Sequence, residues 1–300
     1  MYQESPSSVT YSLTLSNGLS WNLRAGKDLE IWLSRFAGVL SLPKSTRLSD
    51  RSDFYFTTNP HMADGLSPDE WDILPSRYLT LYLHRSSGNI RCLHHGDFLG
   101  DRIEETVRML FSIQGVFASA ILNRGLPLHA ALICREGRGI AITAPGGTGK
   151  STCAMRVQQP WEAPADDTGL VILSEDKHYM IHPMPTWSVF FDFQDWNASW
   201  CVEKAFPLEL ICTLKHGKTD EITPLGNGNA AALIYQSALQ IWRGTQSTCS
   251  PVSLHQHWIA GIFENSCRLA HSIPCVTLNA TKDGCFWEKI DRYLESYTGK

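Results

Sequence analysis

Apolar and polar positions alternate at the start of the chain. Tyr11, Leu13 and Leu15 precede an Asn17-Gly18 pair, and Leu19, Trp21 and Leu23 follow it. A period of two puts one face of a strand in a core, and Asn-Gly suits a tight turn, so this stretch predicts a β-hairpin. From about Asp28 the period lengthens. Leu29, Trp32, Leu33 and Phe36 fall on one face of a helix. The polar run PKSTRLSDRSD (43–53) reads as a loop. A second hairpin is predicted from Tyr78-Leu79-Thr80-Leu81-Tyr82, through Ser86-Ser87-Gly88-Asn89, to Ile90-Arg91-Cys92-Leu93. Residues 1 to about 98 thus form a β-rich unit with one helix and no motif tied to chemistry.

Asp101 to about Asn123 has the pattern of one long, mostly buried helix, ended by Gly125 and Pro127. LHAALIC (128–134), the turn REGRG (135–139) and IAIT (140–143) predict an antiparallel hairpin whose second strand runs into APGGTGKST (144–152), with a helix from near Lys150. Residues 165–183 read as a further hairpin turning at Ser174–Lys177. Another is expected from 208–214 through a charged turn at 215–220. Helices are predicted over about 228–243, 252–271 and 284–297, with a short strand at 275–278. The result is an α/β chain with mixed sheets.

Composition narrows the class. Of 300 residues, 43% are apolar and 19% charged, as in ordinary globular proteins. A net charge of −4, with no run of four Lys/Arg, gives no reason to expect nucleic acid or anionic membrane as a partner. The nine cysteines form no CxxC pair, which suits reduced thiols rather than a zinc site or disulfide framework. No apolar run reaches eighteen residues, and MYQESPSSVTYS has neither the basic nor the apolar region of a signal peptide. The expectation is a cytoplasmic protein.

The segment 144–152 fits a phosphate-binding loop in its Ala-first form. Ala144, Gly146, Gly147, Thr148 and Gly149 let backbone N–H groups curl around phosphate oxygens, and Thr152 continues into the helix. Lys150 is the residue type that reaches β- and γ-phosphates, and the Ser151 hydroxyl suits Mg²⁺.

Asp166 and Asp167 follow sixteen and seventeen residues after Lys150. Adjacent carboxylates repel unless a cation or proton intervenes. Beside a nucleotide, one can address Mg²⁺ and the other can take a proton from an attacking hydroxyl. Asp167 is paired with Ser151 as the metal expectation. His129 opens the strand that pairs with the one feeding the loop, which brings it near the level of residues 145–146.

LPLHAALI, then GRGIAITAPGGTGKST, then ADD resembles the catalytic half of the HPr kinase/phosphorylase family, over roughly residues 125–190. The resemblance implies a phosphoenolpyruvate-carboxykinase-like fold, in accord with the hairpin before the loop. It implies catalytic roles for His129, Lys150, Asp166 and Asp167. HPMPTWS (182–188), the overall length and the β-rich first hundred residues look more like the compact branch of peptide-modification clusters. That branch includes lasso-peptide precursor kinases and ScmC-type proteins of the SynChlorMet cassette. The Arg-Gly-Leu-Gly signature of the larger enzymes does not occur here, so HPr as substrate, the reverse reaction and a hexamer are not implied.

The expectation is a β-rich unit over 1–98 for peptide or substrate recognition and a catalytic domain over 99–300. The function expected is a kinase using ATP and Mg²⁺ to phosphorylate a serine hydroxyl of a peptide or protein. GTP or another phosphoryl donor stays open, as does an oligomer. The alternatives are a phosphate-loop ATPase or switch, a kinase of a small molecule such as free serine, and a nucleotide-dependent peptide-binding module. Arg135, Arg138, Arg243 and Arg268 are candidate phosphate clamps better read as surface residues. His94-His95 reads as solvated, His255-x-His257 as poor metal geometry, and Trp187, Trp196 and Trp200 as flanking a substrate groove near 185–200.

Overall fold

The Asn17-Gly18 hairpin forms: β1 (Thr10–Thr14) pairs antiparallel with β2 (Ser20–Ala25), and Gly18 supplies the positive φ. The computed structural model describes residues 9–45, 50–243 and 256–298. The amphipathic segment after the hairpin is α1 (Glu30–Val39), which buries Trp32, Leu33 and Phe36. The stretch read as a loop contains β3 (Lys44–Ser45), which extends the hairpin, and the start of β4 (Ser52–Thr57). Both strands are polar at their exposed positions, so their sequences lack the apolar signal of a core strand.

β5 (Trp71–Pro75) pairs with β6 (Leu79–His84), and β6 pairs with β7 (Ile90–His94). The first sheet runs in the order β3-β1-β2-β4-β7-β6-β5. The β2–β4 and β4–β7 pairs are parallel, a feature hairpin reasoning does not reach. The single helix expected over 101–123 is two, α2 (Arg102–Ser112) and α3 (Gln114–Leu122), separated at Ile113. Among the described residues, 102–122 is the one helical stretch long and apolar enough to cross a membrane, and most of it is buried inside the molecule.

The second sheet holds the candidate site. β8 (Leu126–Arg135) pairs with β9 (Arg138–Thr143) on one side. After α4 (Lys150–Arg156) the chain runs along the other side of β8, first as β10 (Trp161–Ala165) and then as β11 (Thr168–Leu173). β10 shifts register against β8 between Glu162 and Ala165; from Ala165 onward it shares one register with β11, across the bend at Asp166-Asp167. β12 (Tyr179–Met184) follows, then α5 (Ser188–Asp192) and β13 (Phe206–His216). β8 pairs with β11, β11 with β12, β12 with β13, β13 with β9 and β9 with β8, so these five strands form a closed circuit.

The hairpin expected at 208–220 does not form. β14 (Glu221–Pro224) lies beyond β15 (Cys275–Ala280), which inserts parallel to β13. The charged turn cannot close tightly because β13 continues through Lys215 and His216. Asp220 is meanwhile engaged by the Thr281 amide (2.7 Å) and hydroxyl (3.0 Å). α6 (Asn227–Arg243), α7 (Gln256–Ser272) and α8 (Phe286–Thr298) complete the described chain.

β9, β13 and β15 are buried on both faces, which explains their unbroken apolar runs. One face joins a core that runs continuously into the first sheet, from Trp21 and Trp32 through Val116 and Phe117 to Leu128 and Trp258. On the other face Ile140, Ile142, Cys212, Val276 and Leu278 pack against Cys153 of α4 and against Phe286 and Ile290 of α8. Arg135 and the Trp161 indole tie α8 down through Asp291 (2.6 and 3.4 Å).

Candidate functional site: a glycine loop beside a histidine–aspartate pair

The loop leaves the carboxyl end of β9 at Ala144 and enters α4 at Lys150. Gly147 (φ 75°) and Gly149 (φ 95°) hold left-handed conformations that cost most residues about 1 kcal/mol or more. A methyl group on Gly147 would meet no atom within 4 Å, so glycine is required there by backbone conformation, not by crowding. Thr148 N–H donates to the Pro145 carbonyl, and Cys153 N–H to that of Gly149, which closes the bend onto the helix. Cys153 itself points into the core, and burial pushes its thiol up from its ordinary value.

Lys150 is 5% exposed, and its ammonium donates to the Ala144 carbonyl at 3.0 Å, spanning the loop from end to end. Burial lowers its pKa, while the charges of Asp167 and Asp166 pull it back up. The Ser151 hydroxyl donates to the backbone carbonyl of Asp166 at 3.4 Å, so α4 and the Asp-Asp bend touch directly.

His129 stands opposite Thr168 in the β8–β11 ladder. Ala130 opposes Thr143, which sets His129 level with Ala144, one or two residues short of the expected level. In an uninterrupted strand Asp167 would point to the opposite face from Thr168 and His129. The bend at 166–167 turns it back, and His129 Nε2 lies 3.1 Å from Asp167 Oδ1. Thr168 Oγ1 adds a second donor to Asp167 Oδ2 at 3.3 Å. Burial works to raise the Asp167 carboxyl. The His129 hydrogen bond and charge, the Lys150 charge and the Thr168 hydroxyl outweigh it, and the net pKa falls below the usual carboxylate range. The Asp166 carboxylate accepts from the buried Thr186 hydroxyl instead.

His129 meets Asp167 and Ser151 meets Asp166, while Lys150 bonds across the loop to Ala144 within range of the charges of both aspartates. Ser151 bonds to Asp166, whereas Asp167 is engaged by His129 and Thr168. The hydroxyl and carboxylate oxygens gathered here are the hard donors that Mg²⁺ takes, usually from few side chains together with phosphate oxygens.

The other candidates fall elsewhere. Arg135 and Arg138 face each other at the far end of the β8–β9 hairpin and pair with Asp291, Glu136 and Glu209. Arg268 pairs with Glu264 along α7, and Arg243 is an exposed residue at the end of α6. His255 lies outside the described residues, and among those described no group of three metal-binding side chains occurs. Trp196 lines a cavity of about 290 Å³ with Arg35, Arg102, Glu105 and Phe190, between the first sheet's helix and the 188–199 segment.

His94 is not solvated. It is 2% exposed, its ring is flanked by Trp32, Phe56 and Phe98, and its pKa is lowered to about 3 by burial and by Arg108 and His95. The alternation Ile90, Cys92, His94 already put it on the core face.

Two supporting residues were missed. Thr186 sits inside HPMPTWS but has no signal of its own. Ser237 on α6 donates to the His129 carbonyl at 3.1 Å, a contact 108 residues away in sequence.

The fold and site define an α/β protein of two mixed sheets, with a glycine-rich loop at a strand end and a His–Asp pair beside it. The family model described as SynChlorMet cassette protein ScmC matches residues 98–295, and the chain belongs to that family. A comparison with curated proteins returned no match.

Proposed function

We propose that this ScmC-family protein is a Mg²⁺-dependent kinase that moves the γ-phosphoryl group of a nucleoside triphosphate to a hydroxyl, a serine of a peptide or protein. The setting is peptide natural-product modification in the cytoplasm. The observation that carries the reading is the 3.1 Å contact between His129 and Asp167 beside the loop that opens at Ala144. A phosphate loop alone serves motors and switches equally. A buried-edge carboxylate held ionised by a histidine next to that loop suits a site that must receive a proton from an acceptor.

On this reading the closed strand circuit with its antiparallel partner to β9 is a phosphoenolpyruvate-carboxykinase-like core, and the first sheet serves recognition. The loop amides and Lys150 hold the phosphates. Ser151 and Asp166 would hold Mg²⁺, which would supply charge neutralisation on the transferred group. Asp167 takes the proton of the attacking hydroxyl as its oxygen bonds to the γ-phosphorus and the bond to the β–γ bridging oxygen breaks, releasing the diphosphate. His129 orients Asp167 and keeps it ionised. Because phosphoryl transfer passes through a loose transition state, positioning and charge neutralisation contribute most, and a weak base suffices.

The test is incubation with γ-labelled ATP, Mg²⁺ and serine-containing peptides, with the Asp167→Asn and Asp166→Asn variants alongside. Label in peptide that is lost with Asp167→Asn supports the kinase. Phosphate release without any acceptor points to a switch, and transfer to free serine points to a small-molecule kinase. Full activity of Asp167→Asn removes the proposed base.

A further inference from the structure

We infer that the donor is a nucleotide whose base sits in the cavity between the loop and the carboxyl ends of β13 and β15, a point that rests on the kinase reading of the loop. β9, β13 and β15 run parallel; β13 and β15 stop side by side at His216 and Ala280, while β9 stops at Thr143, level with Thr213, and hands over to the loop. In α/β sheets the crevice outside the carboxyl ends of parallel strands is where ligands collect. A cavity of about 220 Å³ opens there, against the second half of the loop.

Its floor is apolar, formed by Leu214, Cys153 and Ala280. The Arg156 guanidinium is part of the wall. It donates to the carbonyls of Thr281 (3.0 Å) and Gly284 and lies over the Phe286 ring, so it is already engaged by protein groups. His216 and Lys282 are exposed at the rim. A Cβ placed on Gly149 would come within 4.0 Å of His216 Cε1, so this imidazole borders the loop itself, within reach of a ring leaving the phosphates. Among the described residues no carboxylate lines the cavity directly, and Asp220 behind it is engaged by the Thr281 amide and hydroxyl. An inorganic polyphosphate would leave the apolar floor uncovered, whereas a heteroaromatic base would cover it.

The opposite side of the loop has a second cavity of about 160 Å³, lined by Thr143, Pro145, Gln236, Ser237 and Gln240. Ser237 ties it to the strand that carries His129. That side belongs with the proton-accepting pair, and it leaves the His216 side for the donor's base.

The experiment is calorimetric titration of the whole chain with ATP and with inorganic tripolyphosphate, both with Mg²⁺, for wild type, His216→Ala and Lys282→Ala. Photolabelling with 8-azido-ATP and peptide mapping run beside it. ATP is expected to bind at least tenfold more tightly than tripolyphosphate. His216→Ala is expected to shrink that preference several-fold without changing tripolyphosphate affinity, and the label should fall in 214–216 or 280–282. Equal affinities, or label in 233–240, would overturn the assignment while leaving the phosphate loop intact. Failure of both probes to bind would remove the kinase reading, and this inference with it.

Discussion

His129 and Asp167 meet at 3.1 Å only because the strand on the far side of β8 is interrupted at Asp166-Asp167. Ala165 and β11 share one register with β8, and without the bend the two side chains would lie on opposite faces. The contact has a consequence for pH. The His129 hydrogen bond and charge hold the Asp167 carboxyl low, so removing them raises its pKa. A base is competent above its pKa and loses competence as pH falls through it. His129→Ala is therefore expected to move the acid limb of the kcat profile to higher pH and to lower kcat at neutral pH roughly tenfold, within the span assigned to acid–base groups. KM for the nucleotide should hold. A uniform drop with an unmoved acid limb would reduce His129 to a structural residue.

Asp167→Asn keeps the shape of the side chain and its contact to Thr168 while removing the proposed proton acceptor. Loss of a general base costs about 10²–10⁴ in rate, so peptide labelling should fall by that order. Asp166→Asn retains an oxygen for the Thr186 hydroxyl and should cost less in transfer than Asp167→Asn. The rank order in single-turnover assays checks the assignment, and the reverse order exchanges the two roles.

Lys150 is buried, and burial disfavours its charge. A lysine held at this cost is placed for a ligand more than for the fold. Lys150→Met should leave Tm unchanged or raised in thermal unfolding and weaken Mg²⁺–ATP binding by tenfold or more in titration. A lowered Tm with unaltered affinity would make Lys150 a structural strut that bridges to the Ala144 carbonyl.

The loop's geometry was legible because local constraints write it into adjacent residues. Glycine at 147 and 149 answers a backbone need, and apolar IAIT before the loop is a strand buried on both faces. The Asp pair was legible by its distance from the loop, but its division of labour was not. Which carboxylate faces His129 depends on a strand bend, and which one takes the Thr186 hydroxyl depends on a turn twenty residues on. Long-range pairings were the least visible. The insertion of β15 between β13 and β14 joins residues some sixty positions apart. Its only trace in sequence is Asp220, whose polar side chain caps Thr281. β4 and β10 were missed because Ser52 and Asp53 in one, and Glu162 and Pro164 in the other, dilute the period-two signal.

The two sheets meet at a histidine that can accept the Ser16 amide in only one protonation state. His182 on β12 is fully buried, and its Nδ1–H donates to the Val202 carbonyl at 2.8 Å. That leaves Nε2 as an acceptor, 2.9 Å from the Ser16 hydroxyl and 3.3 Å from the Ser16 amide, at the tip of the first hairpin. Burial lowers the His182 pKa, with the Val202 bond acting the other way. In the unfolded chain the ring titrates near 6.5. A histidine whose folded pKa is depressed contributes stability that is complete above the unfolded pKa and is lost as pH falls below it. Protonation also sets an N–H against the Ser16 amide, which cannot reverse its direction as a hydroxyl can. Hydrogen exchange, corrected for intrinsic rates, should therefore show amides of residues 14–20 losing protection between pH 7 and pH 5, before the β8–β9 core. His182→Gln, which is neutral across that range and keeps one acceptor, should flatten this dependence. An unchanged pH dependence in His182→Gln would assign the effect to the other buried histidine, His94, in the first sheet.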